Sequence, residues 1–161
     1  MVKVGIVMGS ESDLAVMEKS AAALKEFGIN YELVIASAQR HPEKVASYAR
    51  GAADAGIKVI IAGAGGAAHL PGVIASLTIL PVIGVPIATA HLGGLDSLYS
   101  IVQMPRGIPV ATVGINGAYN AGLLAVHILS LENRKLQERL AVYRQKLAAE
   151  VEEKDRQLRD S

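Results

Sequence analysis

Side chains able to bind a small anionic molecule are concentrated in three short stretches of the first seventy residues. Residues 9–13 read Gly-Ser-Glu-Ser-Asp, residues 37–42 read Ser-Ala-Gln-Arg-His-Pro, and residues 63–69 read Gly-Ala-Gly-Gly-Ala-Ala-His. Together they supply hydroxyls, a carboxylate, a guanidinium, two imidazoles and exposed backbone N–H groups. Arginine and helix N-termini suit a phosphate, and a short carboxylate such as Asp13 suits ribose hydroxyls. The three stretches therefore predict a pocket for a ribose phosphate.

The third stretch follows an apolar run, and this arrangement predicts a buried strand that ends in a glycine-rich turn. Residues 59–62 are Val-Ile-Ile-Ala, which is typical of a buried strand. Glycine lets the backbone approach a ligand closely because it has no Cβ. The alternative is a purely structural turn that packs under a helix of small residues.

Five apolar runs alternate with helical segments along the chain. The predicted strands cover residues 2–8, 31–36, 58–62, 81–85 and 109–115. The predicted helices cover about residues 14–27, 42–56, 70–78, 95–103 and 118–131. Such alternation predicts a three-layer α/β domain with a parallel sheet. Loops that follow parallel strands emerge at one edge, so we expect the three polar stretches to converge there.

The end of the chain has a different composition. From residue 133 onward, apolar residues recur every three or four positions between many charges, which predicts a long amphipathic helix. We expect residues 1–132 to form an α/β catalytic domain. Residues 133–161 would be the C-terminal helix of the same domain, with frayed last residues.

Charge is nearly absent from the middle of the chain. Hydrophobic residues make up 51% of the 161 residues, and between positions 59 and 131 the only charged side chains are Asp96 and Arg106. A monomer of this size would expose much of that length, so we expect a homo-oligomer with large apolar interfaces. A transmembrane span is the competing interpretation, but prolines and glycines interrupt every run of the required length.

Composition excludes several classes of partner and site. The formal net charge of +1 gives no general case for nucleic acid or an anionic membrane. The chain has no cysteine, so disulfides, thiolate nucleophiles and cysteine–metal sites are excluded. The N-terminus enters a strand pattern without a signal segment, and we expect a cytoplasmic protein.

Common nucleotide and metal motifs are missing. No Gly-Lys-Ser/Thr follows the glycines, and Ala68 stands where Gly-x-Gly-x-x-Gly requires its last glycine. Histidines occur at positions 41, 69, 91 and 127, without the spacing of metal ligands. His69, beside the glycines, is the best functional candidate by position. On chemistry alone, a capping or hydrogen-bonded role for this histidine is equally favoured.

Three strings resemble a known family over nearly the whole chain. Residues 8–13 (Met-Gly-Ser-Glu-Ser-Asp), residues 62–72 (Ala-Gly-Ala-Gly-Gly-Ala-Ala-His-Leu-Pro-Gly) and residues 94–105 (Gly-Leu-Asp-Ser-Leu-Tyr-Ser-Ile-Val-Gln-Met-Pro) are similar to N5-carboxyaminoimidazole ribonucleotide mutase, the bacterial form of the phosphoribosylaminoimidazole carboxylase catalytic subunit family. The last string favours the mutase over the animal-type carboxylase that uses free CO2. The resemblance implies a step of de novo purine synthesis, a flavodoxin-like fold, an octamer and no cofactor.

The resemblance also implies a set of substrate-binding residues. In the family's mechanism the carboxyl group leaves N5 as CO2 and adds to C4 of the imidazole, while a histidine moves the C4 proton. Asp13 would bind the ribose, and Ser37 and Arg40 would bind the phosphate. The imidazole and carboxyl group would be surrounded by Gly65, Gly66, Ala67, His69 and Leu70. The substrate-binding residues carried over by position are Ser10, Ser12, Asp13, Ser37, Ala38, Arg40, Gly65, Gly66, Ala67 and Leu70, with His69 as a catalytic candidate.

One position departs from the family pattern. The family's second loop reads Ser-Ala-His-Arg-Thr-Pro, whereas here Gln39 occupies the catalytic histidine's position and His41 replaces the threonine. An amide has no usable pKa for proton transfer, and losing such a group typically costs about 10²–10⁴-fold in rate. His41 or His69 would then supply the base, unless Gln39 is an engineered substitution. A non-catalytic ribonucleotide-binding protein and a carboxylase or decarboxylase of another heterocycle are the alternative functions.

Overall fold

The protein is built around a five-stranded parallel sheet with helices on both faces. The computed structural model describes residue 1 and residues 3–161. The strand order is β2-β1-β3-β4-β5. The strands are β1 (Val4–Met8), β2 (Tyr31–Ile35), β3 (Val59–Gly65), β4 (Val82–Ile87) and β5 (Ala111–Thr112).

Burial of the strands follows their place in the sheet. Every residue of β1 and β4 is buried, and β3 is buried except at its last glycine. Helices cover both faces of these strands, which is why their sequences are continuously apolar rather than alternating. Strand β2 lies at an edge and is only partly buried. In register, Met8 of β1 pairs with Ile35 and with Gly63, so the loops that follow begin at the same edge.

Six helices connect and extend the strands. A short 3-10 helix, Glu11–Asp13, precedes the first of them. Side chains cap two of the helix N-termini that the sequence predicts: the His41 ring accepts from the Lys44 N–H, and the Asn133 amide oxygen accepts from the Leu136 N–H. The helices are α1 (Leu14–Glu26), α2 (Pro42–Gly51), α3 (Leu70–Leu77), α4 (Leu95–Val102), α5 (Ala118–Ser130) and α6 (Arg134–Arg159).

The predicted fold class is confirmed, and several of the predicted boundaries differ from those in the structure. Strand β3 continues through the glycines to Gly65, because residues 63–65 pair with residues 85–87 of β4. Strand β5 has two residues instead of seven, at the edge of the sheet. Helix α2 ends at Gly51, and residues 52–56 form a turn that closes at Gly56 with φ 89°. The first strand begins at Val4, and Val2 of its predicted range lies outside the described residues.

The chain divides into two compact units, residues 1–126 and residues 127–161. The first unit contains the whole sheet and an apolar core, in which Ile60, Ile74 and Ile101 are fully buried. The second contains α6, whose exposed face carries ion pairs such as Arg134–Glu138 at 3.3 Å. The division at residue 132 stays a prediction. None of the helices in the described part of the chain combines the length and apolarity needed to cross a membrane.

Candidate active site

A cavity of about 400 Å³ opens at the carboxyl edge of the sheet. Its walls come from the loops after β1, β2 and β3. Strand β1 lies between β2 and β3, so the connection from β1 to β2 and the connection from β2 to β3 run in opposite directions across the sheet. Open α/β sheets bind ligands at such a point. The lining residues are Gly9, Ser10, Asp13, Ser37, Ala38, Gln39, Arg40, Ala64, Gly65, Ala68, His69 and Leu70.

The cavity brings together nine of the thirteen residues that the sequence indicated for the site. The four that are not among its lining residues are Ser12, Gly66, Ala67 and His41. Three further lining residues, Gly9, Ala64 and Ala68, were not singled out, although each lies inside one of the three polar stretches. Convergence of the three stretches at one edge is therefore what the structure shows.

In the first loop, Ser10 lines the cavity and Ser12 does not, but Ser12 is hydrogen-bonded to Ser10. The Ser10 hydroxyl oxygen accepts from the Ser12 backbone N–H at 3.3 Å and from the Ser12 hydroxyl at 3.0 Å. These bonds fix the first turn of the 3-10 helix. Ser12 thus orients Ser10, and Ser10 lines the cavity.

Arg40 joins the first loop to the second. Its Nη2 donates to the Gly9 carbonyl oxygen at 2.8 Å. The Ser37 hydroxyl oxygen accepts from the Arg40 backbone N–H at 3.1 Å and from its Nε at 3.4 Å. The guanidinium is therefore held at the cavity wall with donors to spare, as an anion site requires.

Asp13 lines the same cavity, where two opposing effects act on the pKa of its carboxyl group. Partial burial raises the pKa of its carboxyl group above the ordinary value, while the nearby Arg40 charge acts in the opposite direction. Burial thus disfavours the charged form of this carboxyl group. Hydroxyl donors from a ligand would relieve that cost.

The glycine-rich loop is held from outside the three stretches. The Gly66 N–H donates to the Ser97 hydroxyl oxygen at 3.0 Å, and the Ser97 hydroxyl donates to the Ile87 carbonyl at 2.7 Å. Ser97 is fully buried on α4. Gly66 has φ 69°, a conformation that glycine adopts without strain. The sequence did not predict this role for Ser97, which appeared there only within residues 94–105. A hydroxyl in a helix rich in apolar residues was the feature that could have indicated it.

Gln39 and His69 meet in the cavity from different loops. The Gln39 amide nitrogen Nε2 lies 2.5 Å from the His69 ring nitrogen Nδ1. Both side chains line the cavity. The family's histidine position and the glycine-loop histidine are therefore neighbours in space, although thirty residues separate them in sequence.

His41 has a different environment. Its Nδ1 accepts from the Lys44 backbone N–H at 3.3 Å and lies 3.9 Å from a Glu43 carboxylate oxygen. It borders a separate surface depression with Glu43, Lys44, Ser47 and Tyr48. The structure thus places the His41 side chain as the cap of α2, and His41 is not among the residues that line the cavity.

The family model for AIR carboxylase matches residues 3–150. The chain belongs to the AIR carboxylase family.

Named relatives within the AIR carboxylase family agree with this assignment and confirm the resemblance seen in the sequence. The chain is 56% identical to N5-carboxyaminoimidazole ribonucleotide mutase of Thermotoga maritima, over 98% of this chain and 92% of that protein. It is 59% identical to the mutase of Pyrococcus horikoshii, over 98% and 89%. The crystal structure of Treponema denticola PurE matches with a TM-score of 0.88 and 34% identity, covering 98% of this chain and 99% of that one.

The chemistry of the cavity in this AIR carboxylase family member is that of side-chain and backbone groups. Within residue 1 and residues 3–161, no group of three or more His, Asp or Glu side chains is arranged to hold a metal ion. The lining residues instead offer hydrogen-bond donors, one carboxylate and one imidazole. Such a set suits a polar organic ligand.

Proposed function

We propose that this chain moves a carboxyl group from N5 to C4 of carboxyaminoimidazole ribonucleotide in de novo purine biosynthesis. The observation that carries the proposal is the cavity at the β1–β3 edge, where Asp13, Arg40 and the glycine-rich loop converge. Relatives that bear the mutase name share 56–59% of residues over nearly the whole chain. A related carboxylase of another heterocycle has no observation in its favour.

The lining residues divide naturally among the parts of such a substrate. Arg40 and Ser37 bind the 5′-phosphate, because the guanidinium is fixed against Gly9 and Ser37 with free donors. Asp13 accepts the ribose hydroxyls, with Ser10 beside it. Gly65, Ala38 and Leu70 border the imidazole, and the loop residues Gly66 and Ala67 shape the turn around it. A closed pocket retains CO2 between its release and its addition to C4.

His69 is the group we assign to proton transfer. Among the described residues that line the cavity it is the one imidazole, whereas His41 lines another depression. Protonated on both nitrogens at the start, its ring gives a proton to N5 as the bond from N5 to the carboxyl carbon breaks, which leaves a neutral imidazole. It takes the C4 proton after the new C–C bond forms, so the ring ends the cycle as it began. Gln39 cannot exchange a proton near neutral pH, and we expect turnover about 10²–10⁴-fold below that of a relative with histidine there.

A product assay tests the proposal directly. The protein is incubated with N5-carboxyaminoimidazole ribonucleotide, and formation of the C4-carboxylated product is followed. Spontaneous loss of CO2 from N5 does not form that product, so any excess over the protein-free control reports catalysis. We expect His69→Asn to abolish product formation and His41→Ala to leave it unchanged. Tight binding of the substrate without product would favour a non-catalytic ribonucleotide-binding protein, an outcome that Gln39 makes worth testing.

The loop can also be returned to the family sequence. Gln39→His together with His41→Thr restores Ser-Ala-His-Arg-Thr-Pro. We expect this double variant to gain turnover, because an imidazole regains the position of the amide and threonine caps a helix well. Equal turnover before and after the change would contradict the role given to position 39.

The proposed assembly is a homo-oligomer, and an octamer is its expected form. Exposed apolar side chains Leu95, Tyr99 and Val102 lie on α4 at spacings of four and three, and Leu92 extends the same stripe. These residues belong to the charge-poor middle of the chain, which suits contact with further copies. A light-scattering mass near the 16.8 kDa of one chain would refute the oligomer. A chain without cysteine needs no oxidising compartment, in keeping with a proposed cytoplasmic location.

A further inference from the structure

In the hydrogen bond between Gln39 and His69, the chemistry of the amide determines which side chain donates and which accepts. The amide Nε2 carries two N–H donors and has no acceptor, so the His69 Nδ1 that faces it must offer its lone pair. A neutral imidazole whose Nδ1 accepts carries its proton on Nε2. In this arrangement His69 therefore presents an N–H group away from Gln39.

That tautomer suits binding better than proton removal. An Nε2–H group donates to a carboxylate, such as the carboxyl group that migrates. The same nitrogen has no free lone pair and cannot accept the proton that C4 loses. If the Gln39 amide turns by half a rotation, Oε1 faces Nδ1 and accepts from it. The Nδ1 proton then stays in place throughout the cycle, and Nε2 gives its own proton to N5 and becomes the base that accepts the C4 proton.

We propose that Gln39 is a positioning residue that selects the tautomer of His69, with its amide nitrogen favouring the carboxylate-binding form and its amide oxygen the proton-accepting form. The inference rests on the proposed function for its kinetic consequence. It gives a physical reason for the reduced turnover that we expect, since the base-competent form requires the amide orientation opposite to the one in the structure. The two orientations occupy the same volume, so the packing of the loop does not change.

Nuclear magnetic resonance measures the tautomer without any turnover. The protein is labelled with ¹⁵N-histidine, and His69→Asn assigns the ring signals. We expect the wild type to show Nε2 protonated and Nδ1 unprotonated. Gln39→Glu should reverse this, because a carboxylate only accepts. Gln39→Met, of similar length and without hydrogen-bonding atoms, should give a mixture.

Kinetics provide the second readout. We expect Gln39→Glu to raise kcat at least about 10²-fold, the lower end of what a positioned base contributes. It should also raise KM, because a second carboxylate repels that of the substrate. Gln39→Met is the matched control, and a merely structural role for Gln39 would give both variants the same kcat. The same tautomer in the wild type and in Gln39→Met would overturn the inference.

The two proposals fail in distinguishable ways. If the tautomers respond as described and every variant, the family-like double variant included, forms no product, the proposed function is wrong and the positioning of His69 stands. If the wild type forms product and its tautomer is the same in all three proteins, the positioning role is wrong and the mutase function stands.

Discussion

The hydroxyl of Ser97 holds the glycine-rich loop, and Ser97→Ala removes it without changing the backbone. Two partners are lost: the Ile87 carbonyl at 2.7 Å and the Gly66 N–H at 3.0 Å. The first lies beside a fully buried side chain, where an unsatisfied group costs about 1–3 kcal/mol. The second is partly exposed and reaches water, so its loss costs about 0.5–1 kcal/mol. The central values of these two ranges add up to a loss of about 2–3 kcal/mol.

Urea unfolding at a fixed protein concentration measures this loss, and thermal unfolding provides a second estimate. For a chain of this length, about 2–3 kcal/mol lowers Tm by about 4–12 °C. Ser76→Ala is the matched control, because the Ser76 hydroxyl donates to the Val73 carbonyl on an exposed helix surface. It should change stability by less than about 0.5 kcal/mol.

Ser97→Ala should also weaken substrate binding, because the freed Gly66 N–H no longer fixes the turn that follows β3. If Ser97→Ala and Ser76→Ala were equally stable, the reasoning that Ser97 anchors the loop would be refuted.

Three further changes have defined expectations. Gly122→Ala should destabilise the fold by about 1–3 kcal/mol in urea unfolding, although alanine favours a helix by about 1 kcal/mol, because the added Cβ would lie 2.7 Å from the Ser20 carbonyl oxygen of α1. Asp13→Asn should raise Tm at pH 7 and weaken substrate binding. Burial raises the pKa of Asp13 in the folded state, so folding loses stability as pH rises through that pKa, and the gain in Tm should vanish below the ordinary value of 3.8. His41→Ala should cost about 0.5–1 kcal/mol of unfolding free energy, since the Lys44 N–H loses its acceptor, with no change in kcat.

The fold was predictable because its signals are local. Each buried strand is a short apolar run, and each helix has a recognisable start or end, such as Pro42 at the beginning of α2. Alternation of the two element types then restricts the architecture to a parallel sheet. The boundaries that differ depend on distant partners: β3 extends to Gly65 because β4 continues beside it as far as Ile87.

The site was predictable in composition and not in detail. Loops after parallel strands converge at one edge, so the meeting of Asp13, Arg40 and His69 in one cavity was predictable from the sequence. The direction of a side chain within a loop is set by capping and packing, and these cannot be predicted from a local sequence pattern. His41 illustrates this, because its ring caps α2 instead of facing the cavity. The role of Ser97 could not be predicted either, because Ser97 contacts a loop thirty-one residues earlier in the chain.

The position of that anchor affects when the site can form during synthesis. Every residue that lines the cavity lies between positions 9 and 70. Strand β4, which flanks β3, ends at residue 87, and the hydroxyl that fixes Gly66 arrives at residue 97. A nascent chain that has emerged only through α3 thus carries all the lining residues but lacks β4 and the Ser97 hydroxyl, which hold the glycine-rich loop. We therefore expect ligand in the cell to stabilise the completed sheet by mass action rather than the first half of the chain as it leaves the ribosome.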